Sequence, residues 1–498
     1  MSRVVVVGGG PAGMAAARAA AACGVGVVLV DSGRKLGGQY LRQDGLASED
    51  RFSPAAAFAD RESAPSAALA GFEASRSAAL REATLSAASR RFALPDNVEH
   101  VADASVWAVE AVDGGHRVHV RVGATDDPSR TGRVFATRAL VLATGAYDRA
   151  LPFPGWDLPG VFTAGAAQAL AKGQGVAVGD RVLVGGTGPF LLPVAASLVG
   201  AGARVVGVAE ANAAVTGWLR RPAGALAGWS KSGELARYAG VLARHRVPYR
   251  SRTAVVAAHG SECVESVTVA RLDRGWNPVP GTRRRVEADA VAVGFGFTPQ
   301  LELAVAARCA IVDGFVAVDA AQGTSVRGVF AAGELTGIGG ADLADAEGEV
   351  AGTAAAKLLG AEAEPPLRAM GRVRSGRRFA EALAAAYPVR SGWQEWLRDD
   401  TVVCRCEEVT RRALYRAIDE RDVGSVRSLR LVSGAGLGLC QGRVCGQNVA
   451  ELAGIDDPAA FARRPIAAPL RMSELAEVVS ESESINAEAG GTPLGVEY

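Results

Sequence analysis

The stretch Val4-Val5-Val6-Val7-Gly8-Gly9-Gly10-Pro11-Ala12-Gly13 constrains this chain more than any other, because a β-branched run breaks straight into glycines and then into the alanine-rich Met14 to Cys23. Such a pattern reads as a buried parallel strand, a tight turn and a helix packed back on the strand. Gly8 allows the turn, Gly10 lets an anion approach the backbone, and Gly13 lets helix and strand pack closely. The amides around Pro11 and Ala12 then face a pyrophosphate. The next apolar run, Val25 to Val30, ends in Asp31, whose carboxylate suits the two hydroxyls of an adenosine ribose.

A chain of 498 residues is too long for one core, so two or three domains are expected. Its 54 basic and 53 acidic side chains are mixed along the sequence, which excludes a field built for nucleic acid or an anionic membrane. The 49% apolar fraction is largely alanine and valine, and no charge-free apolar run reaches the ~18 residues of a membrane span. Because the first strand begins at Arg3, no room is left for a signal peptide, so a reducing cytoplasm is expected. Of the seven cysteines, Cys23, Cys263 and Cys309 are scattered and read as structural, whereas four cluster near the C-terminus.

After Asp31, the pair Gly37-Gly38 followed by Gln39 would let backbone approach a bulky planar ligand. Residues 44–93 are rich in Ala, Ser and Arg and stay unassigned. Val106 to Val112, an Asp113-Gly114-Gly115 turn and His116 to Val122 predict a hairpin, with His116 and His119 facing solvent. Ala139 to Ala146, with Thr144 and Gly145 in its closing turn, predicts a second buried strand beside the first. Prolines and glycines at 152–160 mark a crossing between domains.

A second strand–glycine unit then repeats the first residue for residue. Gly186 and Gly188 stand where Gly8 and Gly10 stand, and Glu210 stands where Asp31 stands, but Leu191 replaces the third glycine. This unit either holds an adenine nucleotide loosely or is a scaffold that binds nothing, and Glu210 disfavours a 2′-phosphate. Val286 to Val293 turns the chain back, Gly328 to Glu334 gives a buried strand ending in a carboxylate, and a small-residue helix runs from Ala346 to Leu359.

Gly8-x-Gly10-x-x-Gly13, the strand to Ala143-Thr144-Gly145, and Gly333-Glu334 together resemble the two-dinucleotide-fold flavoproteins of the pyridine nucleotide–disulfide oxidoreductase superfamily. The resemblance implies an α/β protein with two Rossmann-like domains, one inserted in the other: an FAD domain at 1–153 and 285–362 and a second, NAD-like domain at 154–284. It also implies FAD with its pyrophosphate on the first glycine motif, its ribose on Asp31 and its ribityl chain on Glu334, normally an aspartate. No cysteine pair follows Gly38 and no C-x-x-C lies between Val182 and Ala288, so dithiol chemistry is excluded.

A linker helix, Arg378 to Ala386, is predicted within residues 363–400. Cys404-x-Cys406 and Cys440-x4-Cys445 follow in residues 401–456, ahead of a tail at 457–498. Four thiolates in two tight pairs hold zinc or an iron–sulfur cluster, and C-x-C is shorter than the usual zinc spacing. The segment resembles the bacterioferritin-associated-ferredoxin-like (BFD-like) [2Fe–2S] domain. The whole chain is similar to the α or B-type subunit of the hydrogen cyanide synthase, opine oxidase and D-hydroxyproline dehydrogenase group.

That similarity implies a relay role in a hetero-oligomeric amine or amino acid dehydrogenase. The implied partners are a D-amino-acid-oxidase-like FAD subunit, and with it a small [2Fe–2S] ferredoxin-like subunit. The implied further ligands are an adenine nucleotide (NAD or ATP) and an interface FMN, with partners bringing the complex to the respiratory membrane. No substrate pocket is assigned. The alternative is an independent NAD(P)H-dependent reductase serving a ferredoxin or nitrite-reductase-like acceptor, which needs a working site at Gly186 to Leu191.

Overall fold

The computed structural model describes residues 3–40, 92–213, 232–421, 423–457, 459–464 and 466–477, and positions 217, 218, 221, 224 and 228 between them. The unassigned stretch from 44 to 91 lies outside these residues. Arg3–Val7, Gly26–Val30, Val98–Val101, Ala139–Leu142 and Val329–Ala331 form one sheet in which Arg3–Val7 lies between Gly26–Val30 and Ala139–Leu142, all parallel. These strands are nearly continuous Val, Leu and Ala because helices cover one face and other elements the second. Their C-terminal ends share one edge, so the turns after residues 7, 30, 142 and 331 converge there.

Two small-residue helices lie on this sheet: α1 (Pro11–Ala22) and α2 (Ala341–Leu358). Gly348 and Gly352 of α2 face Ala12 and Ala16 of α1 so closely that an added Cβ would overlap the Ala12 or Ala16 carbonyl oxygen. The α2 helix starts five residues before the predicted Ala346, because Gly340 precedes it with a positive φ that ends the glycine-rich loop. Helix α3 (Leu367–Ala386) also starts earlier than the predicted Arg378 and packs on α2 through Leu343, Val350 and Val373.

The second domain carries Arg181–Gly186 between Arg204–Glu210 and Ala290–Gly294, again parallel, with Val161–Thr163 and Tyr249–Ser251 at the edges. The predicted run Val286 to Val293 therefore divides. Arg284–Glu287 closes a three-stranded antiparallel sheet, while Ala290–Gly294 stays in the second domain's main sheet, so the return to the first domain comes after Gly294 rather than at 285.

The predicted hairpin is present as Ala104–Val112 and Gly115–Val122, extended by Thr131–Thr137. Its first histidine does not face water, and the second is partly covered. His116 is 5% exposed with Nε2 against Arg327 O (3.4 Å), and His119 lies against the Trp107 ring and Glu110. The segment 466–477 is clamped onto this sheet by a buried Arg130–Glu474 ion pair at 2.7 Å.

The α1–α2 contact makes a prediction with two signs. Glycine to alanine inside a helix ordinarily stabilises by ~1 kcal/mol. Gly371→Ala on α3, where a Cβ meets nothing within 4 Å, should raise the thermal midpoint. Gly348→Ala should lower it, since forcing the helices apart costs ~1–3 kcal/mol. Equal shifts of the same sign would show that the close contact does not govern stability.

Candidate functional site

The turn after Arg3–Val7 is held from three sides. Gly8 donates to Val30 O (2.8 Å), takes a φ of +107°, and leaves no room for a Cβ against the Ala143 carbonyl. Gly37 donates to Gly9 O at 2.9 Å, which lays the predicted Gly37-Gly38 pair directly on the glycine turn. A Cβ on Gly10 would meet nothing within 4 Å, so the space over this amide and the first turn of α1 is open. That is the cradle a pyrophosphate needs.

Asp31 accepts from Gly33 N at 3.2 Å and from the Gly9 amide, and burial pushes its carboxyl above the usual range. Thr144 Oγ1 donates to Gln300 O and Gln300 N to Gly145 O, both at 3.0 Å, fixing the turn after Ala139–Leu142. Gly333 begins a short 3-10 turn on which Glu334 is half-buried. Gln39 is exposed at the rim. The structure thus brings the glycine motif, Asp31, Gly38, Thr144-Gly145 and Gly333-Glu334 to one edge, and the group fits FAD.

Sequence reasoning missed Glu347. Its carboxylate, 1% exposed, accepts from Gly333 N (2.9 Å) and Thr336 Oγ1 (2.8 Å) and pairs with Arg377 at 3.0 Å. The signal was an acid on the otherwise small-residue face Ala344, Gly348, Ala351 of α2.

The second glycine unit is shaped differently. Glu210 is 0% exposed and is taken up by its own turn, with Oε1 accepting from Thr187 Oγ1 (2.7 Å) and Asn212 N (2.7 Å) and Oε2 from Gly188 N (2.9 Å). The acid that would hold a ribose and the amide that would hold a phosphate therefore hold each other. Asn212 also donates to Pro388 O at 3.0 Å, pinning the linker against this turn. Leu191, at the third-glycine position, is buried against the sheet.

The four clustered cysteines come together. Cys445 Sγ lies 3.6 Å from Cys404 Sγ, Cys445 also bonds Cys440, and Cys440 bonds Cys406. None forms a disulfide. The Cys445 thiol bonds hold Cys404 down to about 6 and Cys440 to about 4, while Cys445 itself is pushed up, chiefly by those two bonds. Cys404 and Cys445 are buried, whereas Cys406 is exposed, as is Leu439 at 94%. A two-iron cluster divides four thiolates between its irons, and this donor set suits it.

This module is mounted on the antiparallel ribbon Ala146–Asp148 and Phe297–Pro299, which leaves the Thr144-Gly145 turn. Helix α4 (Gly446–Leu452) reaches across it, with Asn448 Nδ2 donating to Ala150 O (2.7 Å) and Glu451 paired with Arg149 (2.6 Å). Trp156 Nε1 donates to Val402 O at 2.6 Å.

The family model for pyridine nucleotide-disulphide oxidoreductases matches residues 2–356, and the model for the BFD-like [2Fe-2S] binding domain matches residues 402–453. The chain belongs to the pyridine nucleotide-disulphide oxidoreductase family. It is 32% identical to an opine oxidase subunit of Agrobacterium tumefaciens (strain Ach5), over 99% of this chain and 94% of that protein. It is 33% identical to hydrogen cyanide synthase subunit HcnB of Pseudomonas aeruginosa, over 89% and 90%. The fold is similar to that of L-proline dehydrogenase from P. horikoshii, with a TM-score of 0.60 at 18% identity over 95% of this chain and 80% of that one. This member of the family is an FAD-dependent oxidoreductase with a [2Fe–2S] binding domain. Among the described residues no helix is long and apolar enough to cross a membrane.

The buried Glu210 gives a pH prediction. Burial pushes its carboxyl up from 4.5 to about 7, so its contribution to stability is complete below about pH 4.5 and is lost as pH rises through 7, a change of roughly 3 kcal/mol. Glu210→Gln cannot ionise. The difference in unfolding midpoint between the variant and the unmodified chain should therefore grow in the variant's favour from pH 5 to pH 8, and a pH-independent difference would refute the assignment.

Proposed function

We propose that this chain is the electron-relay subunit of a hetero-oligomeric amine or amino acid dehydrogenase. The observation that carries the reading is the mounting of the four-cysteine module on the ribbon that leaves the Thr144-Gly145 turn, so that one packed unit holds both sites. Relatives named as subunits of opine oxidase and hydrogen cyanide synthase support it.

Gly8, Gly10, Pro11, Ala12, Gly13, Asp31, Gly38, Gln39, Thr144, Gly145, Gly333 and Glu334 hold FAD, and Cys404, Cys406, Cys440 and Cys445 hold the cluster. Together these groups let a two-electron oxidation feed one-electron carriers. The chain's own residues shield the flavin-side turn, keep Cys404 and Cys445 dry and leave Cys406 facing a partner. A D-amino-acid-oxidase-like subunit supplies the electrons, and the complex is completed by a small ferredoxin-like subunit, with an FMN at an interface between chains. The donor is oxidised in the D-amino-acid-oxidase-like partner subunit.

The second glycine unit acts as a scaffold. Both carboxylate oxygens of Glu210 are engaged by its own turn, which counts against both a bound adenine nucleotide and the NAD(P)H-reductase alternative. Adding NADH to the anaerobic chain should leave the flavin absorbance unchanged, and rapid bleaching would favour the reductase.

The cluster ligands have a separate test. Any one of the four cysteines changed to serine should reduce iron and acid-labile sulfide from about two each while FAD is retained. In the assembled complex, amine-dependent dye reduction should fall with them. Stoichiometric zinc in the unmodified chain, or full turnover in a cluster-free variant, would overturn the relay role.

A further inference from the structure

Beneath the cysteine loop lies a set of charges to which the relay reading gives no task. Three guanidinium groups donate to carbonyls of the loop that carries Cys440. Arg430 Nη2 reaches Gly436 O (3.4 Å), Arg443 Nη1 reaches Cys440 O (3.4 Å), and Arg464 Nη2 reaches Gln441 O. Arg443 extends the contact to the flavin side, donating through Nε to Tyr147 OH at 2.8 Å and lying 2.7 Å from Glu302. Burial, reinforced by Glu302, pushes the Tyr147 hydroxyl up to about 12, so it is neutral at working pH.

The groups that face one another on this side are therefore three cations and one carboxylate. The remaining nearby acids offset them weakly. Glu407 and Glu408 are exposed, Glu407 with its Oε1 beside Gly438 of the loop, while Glu451 is paired with Arg149 and Asp457 with Arg463. Water and salt screen an exposed carboxylate far more than a half-buried guanidinium.

We propose that Arg443 and Arg464 are positioning residues that fix the cysteine loop and, through the cationic excess they create, raise the reduction potential of the cluster bound by Cys404, Cys406, Cys440 and Cys445. The inference rests on the cluster assignment above. An iron–sulfur centre gains one negative charge on reduction, and its potential follows local net charge, hydrogen bonds to sulfur and exposure. The hydrogen-bond effect acts in the same direction. Gly436 N donates to Cys404 Sγ (3.5 Å) while the Gly436 carbonyl is held by Arg430. Because the arginines lie on the face turned to Tyr147 and Glu302, a partner docking over Cys406 leaves them in place.

The test is a redox titration of the anaerobically prepared full chain, followed by electron paramagnetic resonance of the reduced cluster. A unit charge roughly 12 Å away, at an effective dielectric constant of about 20, changes such an equilibrium about tenfold. Arg464→Met should thus lower the midpoint by about 59 mV. Arg443→Met, which also strands Glu302, should lower it further, and Arg464→Lys should keep most of the potential.

Glu302→Gln removes the one facing carboxylate and should raise the midpoint, an effect of opposite sign that a merely structural role does not produce. It keeps the inference testable if an arginine variant sheds its iron. FAD content should not change. Cluster midpoints that ignore Arg464→Met and Glu302→Gln, or that move in the same direction in both, would overturn the inference alone. An unmodified chain that assembles no cluster would overturn the relay reading on which it stands.

Discussion

Two helices meet almost backbone to backbone where Gly348 and Gly352 face Ala12 and Ala16, and the flavin site depends on that contact. It fixes the N-terminus of α1 over the sheet edge, and with it the amides that a pyrophosphate needs. It also carries Glu347 to the turn at Gly333, where a buried carboxylate bonded on both oxygens ties the turn after Val329–Ala331 to α2 and, through Arg377, to α3. Glycine is poor in a free helix because it loses more backbone entropy than alanine. Here that loss is offset by a separation no other residue permits.

A second constraint joins the domains. One continuous apolar core runs from Leu183 and Val291 of the second domain through Trp276 and Phe295 to Trp393 and Trp396 of the linker, and on to Val403, Leu414 and Val449 around the cysteines. Trp276 and Trp396 stack with ring centroids 6.0 Å apart, and Trp396 Nε1 donates to Trp276 O at 3.0 Å. Burying these large rings gives area, and the bonded N–H groups of Trp276 and Trp396 give orientation. The cysteine module is thereby part of the fold, and its position relative to the Thr144-Gly145 turn is set by packing.

The strand–glycine–acid pattern at residues 4–31 and the spacing of Cys404, Cys406, Cys440 and Cys445 were legible because each is local: periodicity and turn chemistry act over a few residues. The hidden features depend on residues distant in sequence. Glu347 becomes meaningful only when α2 is laid across Gly333. His116 was expected at the surface because a hairpin alone has one wet face, yet the chain near Arg327 covers it. The division of Val286 to Val293 between two sheets could not be read from a single apolar run, since hydrophobicity does not say which neighbour a strand will choose.

Glu210 shows the limit of reading a motif by alignment. It occupies the position equivalent to Asp31, and composition alone gives both acids the same task. Asp31 is bonded by the Gly9 and Gly33 amides and stands beside open space at Gly10, whereas Glu210 is sealed by Thr187, Gly188 and Asn212. The extra methylene lets glutamate curl back onto its own turn, and Thr187, standing where the first unit has Gly9, supplies the hydroxyl that receives it. A glycine turn is an anion site whatever supplies the anion. In the first unit the space over Gly10 is open to such an anion, whereas in the second the Gly188 amide is already bonded by Glu210.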